Sequence, residues 1–227
     1  WKRRKPERGA HRPGESWYYN NWGFNALGSV FESVSGSSIH EAFAERVAEP
    51  IGMEDYRPRD VHYVRRGAVT ERILGNDSEH AAYVFMVSGR DLARFGLLYL
   101  AGGRWRDRQV VPASWVEHTT TDTVATLDFL EGDRYGYLWW VSPPESALGR
   151  VLGHASFKAT GGRGHKVLVV PGLELVVVHR LATGGVGLAS QLYRRFTTPP
   201  NVNDQQFQEL MRRIVAAHPA TRARQSP

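Results

Sequence analysis

The chain of 227 residues contains no cysteine. Disulfides, thiolate nucleophiles and cysteine–metal sites are excluded by that absence, and the cellular compartment stays open. No apolar run reaches the roughly 18 residues that a membrane-spanning helix needs, so no membrane span is expected. Neither H-E-x-x-H nor H-x-x-x-H occurs, which makes His154, His165 and His179 packed or hydrogen-bonded strand residues in this reading and leaves metal: none. No G-x-S-x-G elbow is present, which argues against an α/β-hydrolase. The glycines at 161–164 are not followed by G-K-[ST], so they do not form a phosphate loop, and G-G-R-G is not repeated as an RNA-binding segment would repeat it. S-x-x-K is missing as well. The chain opens on Trp1 rather than Met, and the expectation is that further residues, with any signal peptide, precede it.

What is present is a hydrophobic content of 41%, ample for a packed core in one domain. The net charge is +6, and Lys2, Arg3, Arg4, Lys5, Arg8 and Arg12 against Glu7 account for most of it. Arg222 and Arg224 add two more charges, so the body between the ends is close to neutral. Basic ends can bind nucleic acid or anionic lipid. With no basic stripe in the body, a solvated charge run is the reading adopted, and no nucleic acid partner is expected. Residues 1–12 read as a basic loop, 13–217 as the folded part and 218–227 as a disordered tail.

Apolar spacing predicts a helix over 21–35, with Phe24, Leu27, Phe31 and Val34 as its buried stripe and Gly36 as its stop. A second helix fits 39–49, opened by a Ser38/Glu41 capping box and closed by Pro50. Residues 54–80 read as polar and irregular. A third helix fits 89–101 and a short one surrounds Trp115. Residues 135–141 (YGYLWWV), 165–170 and 174–180 read as strands, the last two joined by a tight turn at Pro171-Gly172. The run Val176-Val177-Val178 suggests a strand covered on both faces. A polar, Pro-rich linker spans 197–204, and a last helix fits 204–217, with Phe207, Leu210, Met211 and Ile214 on one face. Helices, then antiparallel strands, then a C-terminal helix predict an α+β domain with an antiparallel sheet flanked by helices.

Two segments carry candidate chemistry. The first is Tyr19-Asn20-Asn21, where a helix begins. A serine hydroxyl is a weak nucleophile until a group accepts its proton. A phenolate can do so if cations or a helix N-terminus bring the Tyr19 pKa down from about 10. The structural alternative is that the aromatics pack and an Asn caps the helix. The second segment is Ser156–Val178, a Gly-rich approach to a hairpin.

The order PG-x-x-W-x-Y-x-N-x-G-F-x-x-L-G from Pro13, then E-x-V-S-G and EPIGM, resembles the Y-x-N region of the penicillin-recognising serine hydrolases, the class C β-lactamase and D,D-peptidase superfamily. FMVSGRDLARFGLLYLAGGRW at 85–105 supports the resemblance, which covers about residues 9–216. In that family the Tyr acts on protons at the nucleophile and the Asn binds the substrate or the catalytic Lys, which implies these roles for Tyr19 and Asn21. The family's nucleophile lies in an S-x-x-K motif upstream, so the resemblance implies the C-terminal part of such a domain with its serine outside this chain.

Aligned on Pro171, Thr160, Gly161, Gly162 and Gly164 match the family's T-G-G-x-G, and its K-T-G falls on Ser156-Phe157-Lys158. The backbone N–H of Ala159 then takes the position of an oxyanion-hole donor, which needs no particular side chain. Ser156 and Phe157 replace the Lys and Thr that help hold the β-lactam carboxylate. F-x-A-x-G-x-x-G-H is closer to the amidase and esterase branches, including the 6-aminohexanoate-dimer hydrolases.

The resemblance thus implies catalytic roles for Tyr19, Asn21 and Ala159, and substrate contacts at Ser156, Phe157, Lys158, Gly161, His165 and Trp139. The expected activity is hydrolysis of a small-molecule ester or amide through an acyl-enzyme, with cofactors none. A β-lactamase or D,D-carboxypeptidase proper, a catalytically inactive binding module and a basic-tailed interaction protein are the alternatives. Nothing in the residues specifies an oligomeric state.

Overall fold

The Asn20 side chain accepts from the Trp22 N–H at 3.0 Å and starts helix α1, Asn21–Ser35. Gly36, at φ 66, ends it where only a residue free of Cβ strain turns left-handed cheaply. These are features of a computed structural model that describes residues 6–12, 14–58, 62–64, 80–121, 123–126, 132–181 and 201–219. The first five residues of the expected basic loop, most of the 54–80 segment, the start of the 197–204 linker and the expected tail from 220 lie outside the described residues. The chain divides into two compact units, Trp1–Ala113 and Ser114–Pro227.

In the first unit, Ser38 caps α2, Ile39–Phe43, by accepting from the His40 N–H. The expected continuous helix over 39–49 changes pitch at Ala44, and Ala44–Ala48 is a π-turn. Two short strands, β1 (His62–Val64) and β2 (Ala82–Val84), pair antiparallel. Helix α3, Gly89–Leu100, is capped by Ser88, and β3 (Arg104–Trp105) and β4 (Arg108–Gln109) close the unit as a small hairpin. Fully buried Asp91 organises this unit. Its carboxylate accepts from the N–H groups of Glu54, Asp55 and Tyr56 at 2.9–3.0 Å and from Arg94 at 3.0 Å. The loop's orphan donors are thereby satisfied without a second helix.

The expected buried stripe of α1 is corrected by the structure. Leu27 and Val34 are exposed, at 56% and 83%, while Asn25 and Gly28 are buried. Packing decides this: Tyr83 of β2 lies so close to Gly28 that a Cβ there would be 1.8 Å from its ring. A residue without a side chain is what that approach requires.

The second unit opens with helix α4 (Ala113–Thr121) and is built on one six-stranded sheet in the order β10-β9-β8-β7-β6-β5, every neighbouring pair antiparallel. Its strands are β5 (Val124–Ala125), β6 (Arg134–Gly136), β7 (Trp139–Ser142), β8 (Ser156–Gly161), β9 (His165–Val170) and β10 (Leu175–His179). Helices α5 (Ala147–Leu152) and α6 (Asp204–Ala217) contribute Leu148, Leu152, Phe207 and Met211 to a core with Leu168, Val170 and Leu173. A reciprocal capping box between Asn203 and Gln206 starts α6.

Two strand expectations need correction. Residues 135–141 form a hairpin rather than one strand, with Tyr137 (φ 44) and Leu138 (φ 76) as left-handed turn residues between β6 and β7. Neither is the Gly or Asn that announces such a turn; Tyr137 packs instead on Trp115 and His118, ring centroids 5.6 and 4.5 Å away. The strand buried on both faces is β9, where Val167, Leu168, Val169 and Val170 are 0–5% exposed; β10, with Val176–Val178, is only half-buried and ends the sheet among the described residues.

Candidate active site

Tyr19 immediately precedes the cap of α1, and its half-buried ring meets Phe24 edge-on, centroids 4.9 Å apart, and Trp17 at 6.3 Å. Burial pushes its phenol above the ordinary value. A base role needs the opposite direction, so in these surroundings Tyr19 holds its proton and is a donor until a cation is brought beside it. Asn20, not Asn21, is the capping residue; Asn21 is the first residue of the helix and is exposed. The Y-x-N spacing thus leaves the second Asn on the surface, with its amide outside the cap.

In the second unit the candidate residues share β8, and the strand changes character halfway. Ser156 and Phe157 are buried, at 2% and 6%, and Phe157 meets Trp139 edge-on at 5.1 Å, itself 5% exposed. These three side chains, expected to contact substrate, are placed in the packed interior. Lys158 is committed too. Its ammonium pairs with Asp133 and donates to Ser142 Oγ at 3.1 Å, while Ser142 Oγ donates to the other Asp133 oxygen at 2.6 Å. This network ties β8 to β7 and to the start of β6, and it removes Lys158 from the list of free cations. No sequence pattern announces this network, because Asp133 and Ser142 lie 25 and 16 residues away.

From Ala159 the strand emerges. Ala159, Thr160 and Gly161 are exposed, and the ladder to β7 ends at the Trp140–Lys158 pair while that to β9 continues to Gly161–His165. Among the described residues, then, Ala159–Gly161 are flanked by a strand on one side only. An exposed run of backbone with one open edge presents N–H and C=O groups to whatever lies alongside. His165 faces Gly161 across the ladder, and its Nδ1 accepts from the Leu181 N–H at 3.3 Å. Burial, then the charges of Arg180 and His179, hold its pKa down. The neutral ring therefore carries its proton on Nε2.

No helix is long and apolar enough to cross a membrane among the described residues. An antiparallel sheet backed by helices, with an exposed Ala-Thr-Gly end to one inner strand, places the molecule among β-lactamase-like α+β folds. The chain belongs to the Beta-lactamase family, whose sequence pattern matches residues 1–195. It is similar to an uncharacterized protein of Alkalihalophilus pseudofirmus, 24% identical over 181 residues, covering 76% of this chain and 54% of that protein. It also resembles the solved structure of a protein assigned as a 6-aminohexanoate-dimer hydrolase from Bacillus anthracis, with a TM-score of 0.57 and 20% identity, covering 90% of this chain and 46% of that one. A protein assigned as a β-lactamase from Bacteroides dorei gives a TM-score of 0.51 and 18% identity, covering 79% and 55%. At these identities the structural likeness establishes the fold. The chain spans about half the length of the relatives it matches.

Proposed function

We propose that this chain supplies part of a serine hydrolase that cleaves a small ester or amide through an acyl-enzyme. The supporting observation is the exposed, half-open run Ala159–Gly161 on an otherwise buried strand. A backbone N–H at Ala159, held by the sheet rather than by a loop, is a preorganised donor for a carbonyl oxygen that becomes negative. The nucleophile is a serine on a segment outside these 227 residues. Its oxygen attacks the carbonyl carbon, and the alcohol or amine leaves with a proton. Water then breaks the acyl–serine bond and regenerates the hydroxyl. The serine proton passes to the lysine of the S-x-x-K motif on that outside segment, and Tyr19, whose phenol burial keeps protonated, hands its own proton to the leaving group and takes the lysine's in return. Asn21, exposed at the same helix start, contacts the substrate or that lysine.

Esters and amides are favoured over β-lactams in this reading, because Ser156 and Phe157 are buried and cannot grip a carboxylate. A second reading is a binding module that keeps the strand and has no catalysis.

The test has two arms. The chain alone should not hydrolyse p-nitrophenyl esters or nitrocefin, since loss of a nucleophile costs about 10⁶-fold; a stoichiometric acyl adduct on the chain, seen by intact mass, would overturn this. Supplied with an upstream S-x-x-K segment, it should label with a serine-reactive probe and turn over esters. Tyr19→Phe should then lower kcat by about 10²–10⁴ with an unchanged melt. Full activity in that variant would remove Tyr19 from the mechanism, and absence of labelling would favour the binding module.

A further inference from the structure

The first unit neutralises its arginines in one place and leaves them open in another. On α3, Arg90 pairs with Asp55 at 3.0 Å and Arg94 with Asp91 at 3.0 Å, and both guanidinium groups also meet Glu54. The β3–β4 hairpin carries Arg104, Arg106 and Arg108, all exposed, against the single acid Asp107. None of these three guanidinium groups has an acid within ion-pair reach among the described residues.

The hairpin holds its charges out on a firm base. The N–H groups of Val110 and Val111 donate to the Gly103 carbonyl at 2.9 and 3.1 Å, and the Gln109 amide donates to the Gly102 carbonyl at 2.8 Å. Gly103, at φ 83, lies so near Val111 that a Cβ there would be 2.0 Å from its carbonyl oxygen. Half-buried Trp105 pairs across the ladder with Arg108, so the two share a side of the hairpin. The Arg104 N–H donates to the Ala101 carbonyl at 3.2 Å, which roots the hairpin in the last turn of α3, where Ala101 and Leu97 are both exposed.

Arg106 forms the tip. It is left-handed, at φ 55, and stands first in a two-residue turn, where glycine takes the same shape without a Cβ penalty. A second left-handed arginine, Arg163 at the β8–β9 tip, provides the contrast. There the surroundings impose the conformation through a clasp: the Arg163 carbonyl accepts from the Val202 N–H at 3.2 Å, and a Cβ on Gly164 would be 2.4 Å from the Val202 carbonyl oxygen. No hydrogen bond outside the ladder holds Arg106 among the described residues. Folding alone favours glycine at 106, and a charge at the tip is what the arginine adds.

We propose that this hairpin docks the protein on an anionic lipid surface, with the three arginines on headgroup phosphates and Trp105 at the boundary between headgroups and acyl chains. A guanidinium meets a phosphate through paired, charge-assisted hydrogen bonds. An indole, apolar with one N–H, suits that boundary. An exposed hairpin tip needs no matching hollow in a layer of mobile headgroups, whereas a folded acidic partner must supply one. A nucleic acid site calls for a longer basic stripe, which the body does not have. The same unit carries six cations between Lys2 and Arg12 against Glu7, and a bilayer engages two basic stretches whatever their spacing. This docking stands independently of the hydrolase reading.

Sedimentation of the full chain with phosphatidylcholine vesicles, with and without about one-third phosphatidylglycerol, tests it. The chain should bind the anionic vesicles, less so as salt is raised, and leave the neutral ones. Arg104→Gln, Arg106→Gln and Arg108→Gln should each lower partitioning about fivefold, the worth of one cation near a charged bilayer, and the triple variant about 100-fold, all with unchanged melts. Arg106→Gly should weaken binding as Arg106→Gln does and melt no lower than the wild type, because it relieves the turn. Equal partitioning of the triple variant and the wild type would place the binding outside the hairpin and overturn the proposal. Equal binding to both kinds of vesicle, or a lower melt in Arg106→Gly, would overturn it too. Binding to inorganic polyphosphate, polyglutamate or duplex DNA that is lost in the triple variant, with none to vesicles, would make the partner a soluble polyanion and overturn the lipid assignment.

Discussion

Helices α1 and α6 are both amphipathic, and they use their apolar faces in opposite ways. Phe207 and Met211 of α6 are 2% and 0% exposed and complete the core beneath β9. On α1, Leu27, Val30 and Val34 are 56%, 58% and 83% exposed, and Trp22 at its start is 52% exposed. The second unit thus buries its apolar stripe within itself, whereas the first shows its own to solvent. An apolar face of this kind, continuous over several turns, is uncommon on a surface that stays wet. Periodicity states that a helix has a face to hide, but the partner that hides it is a property of the rest of the molecule.

The sharpest test of that contrast is truncation at matched positions. Met211→Ala should cost about 2–5 kcal/mol, the range for a buried side chain, whereas Leu27→Ala and Val34→Ala should each change stability by no more than about 0.5 kcal/mol. Chemical denaturation reads both, and equal costs on the two helices would break the comparison. Next in size is Gly28→Ala, which drives a methyl into the Tyr83 ring and should cost about 1–3 kcal/mol; a silent substitution would mean that α1 is not held where it lies. The exposed face should also bind a hydrophobic dye, and Val30→Lys together with Val34→Lys should reduce that signal without moving the melt. Undiminished dye binding would place the exposed surface elsewhere.

The smallest effect concerns the second unit alone. Its His165 is held neutral by burial, Arg180 and His179. Unfolded imidazole takes up its proton near the usual value of about 6.5, so acid favours the unfolded chain. Stability should be fully present above that pH and fall as pH drops below it. His165→Gln, which can still accept from the Leu181 N–H, should make the melt less steeply acid-sensitive. An unaltered slope would show that His165 does not titrate differently on folding.

Where the determinants are local, the sequence was a good guide. Asn20, Gly36, Ser88 and the turn at Pro171 bound α1, α3 and the β9–β10 hairpin close to the positions their chemistry requires. Long-range choices were not legible. Asp91 reads as an ordinary first-turn acid, yet it anchors a loop 35–37 residues away. Ser156 and Phe157 sit in a stretch with no clear alternation, so nothing marked them as inward-pointing, whereas for the aromatic Trp139 core packing was as open a reading as a place in the cleft. The Tyr137–Leu138 turn lacked its usual residues because ring packing on Trp115 takes the place of backbone ease. Of the candidate site, the emergence of Ala159–Gly161 follows the glycines, while the Asp133–Ser142–Lys158 network depends on register alone.

The clasp between Arg163 and Val202 has a consequence for how the protein is made. Its two halves are 39 residues apart in the chain, and Asn203, next to Val202, starts the helix that brings Phe207 and Met211 onto the sheet. Synthesis runs from the amino end, at about 5–20 residues per second. The ribosome thus releases β8, β9 and β10 seconds before their cover. Through that interval Leu168 and Val170 lack the cover of Phe207 and Met211, and a stop codon placed before α6 would make that loss permanent.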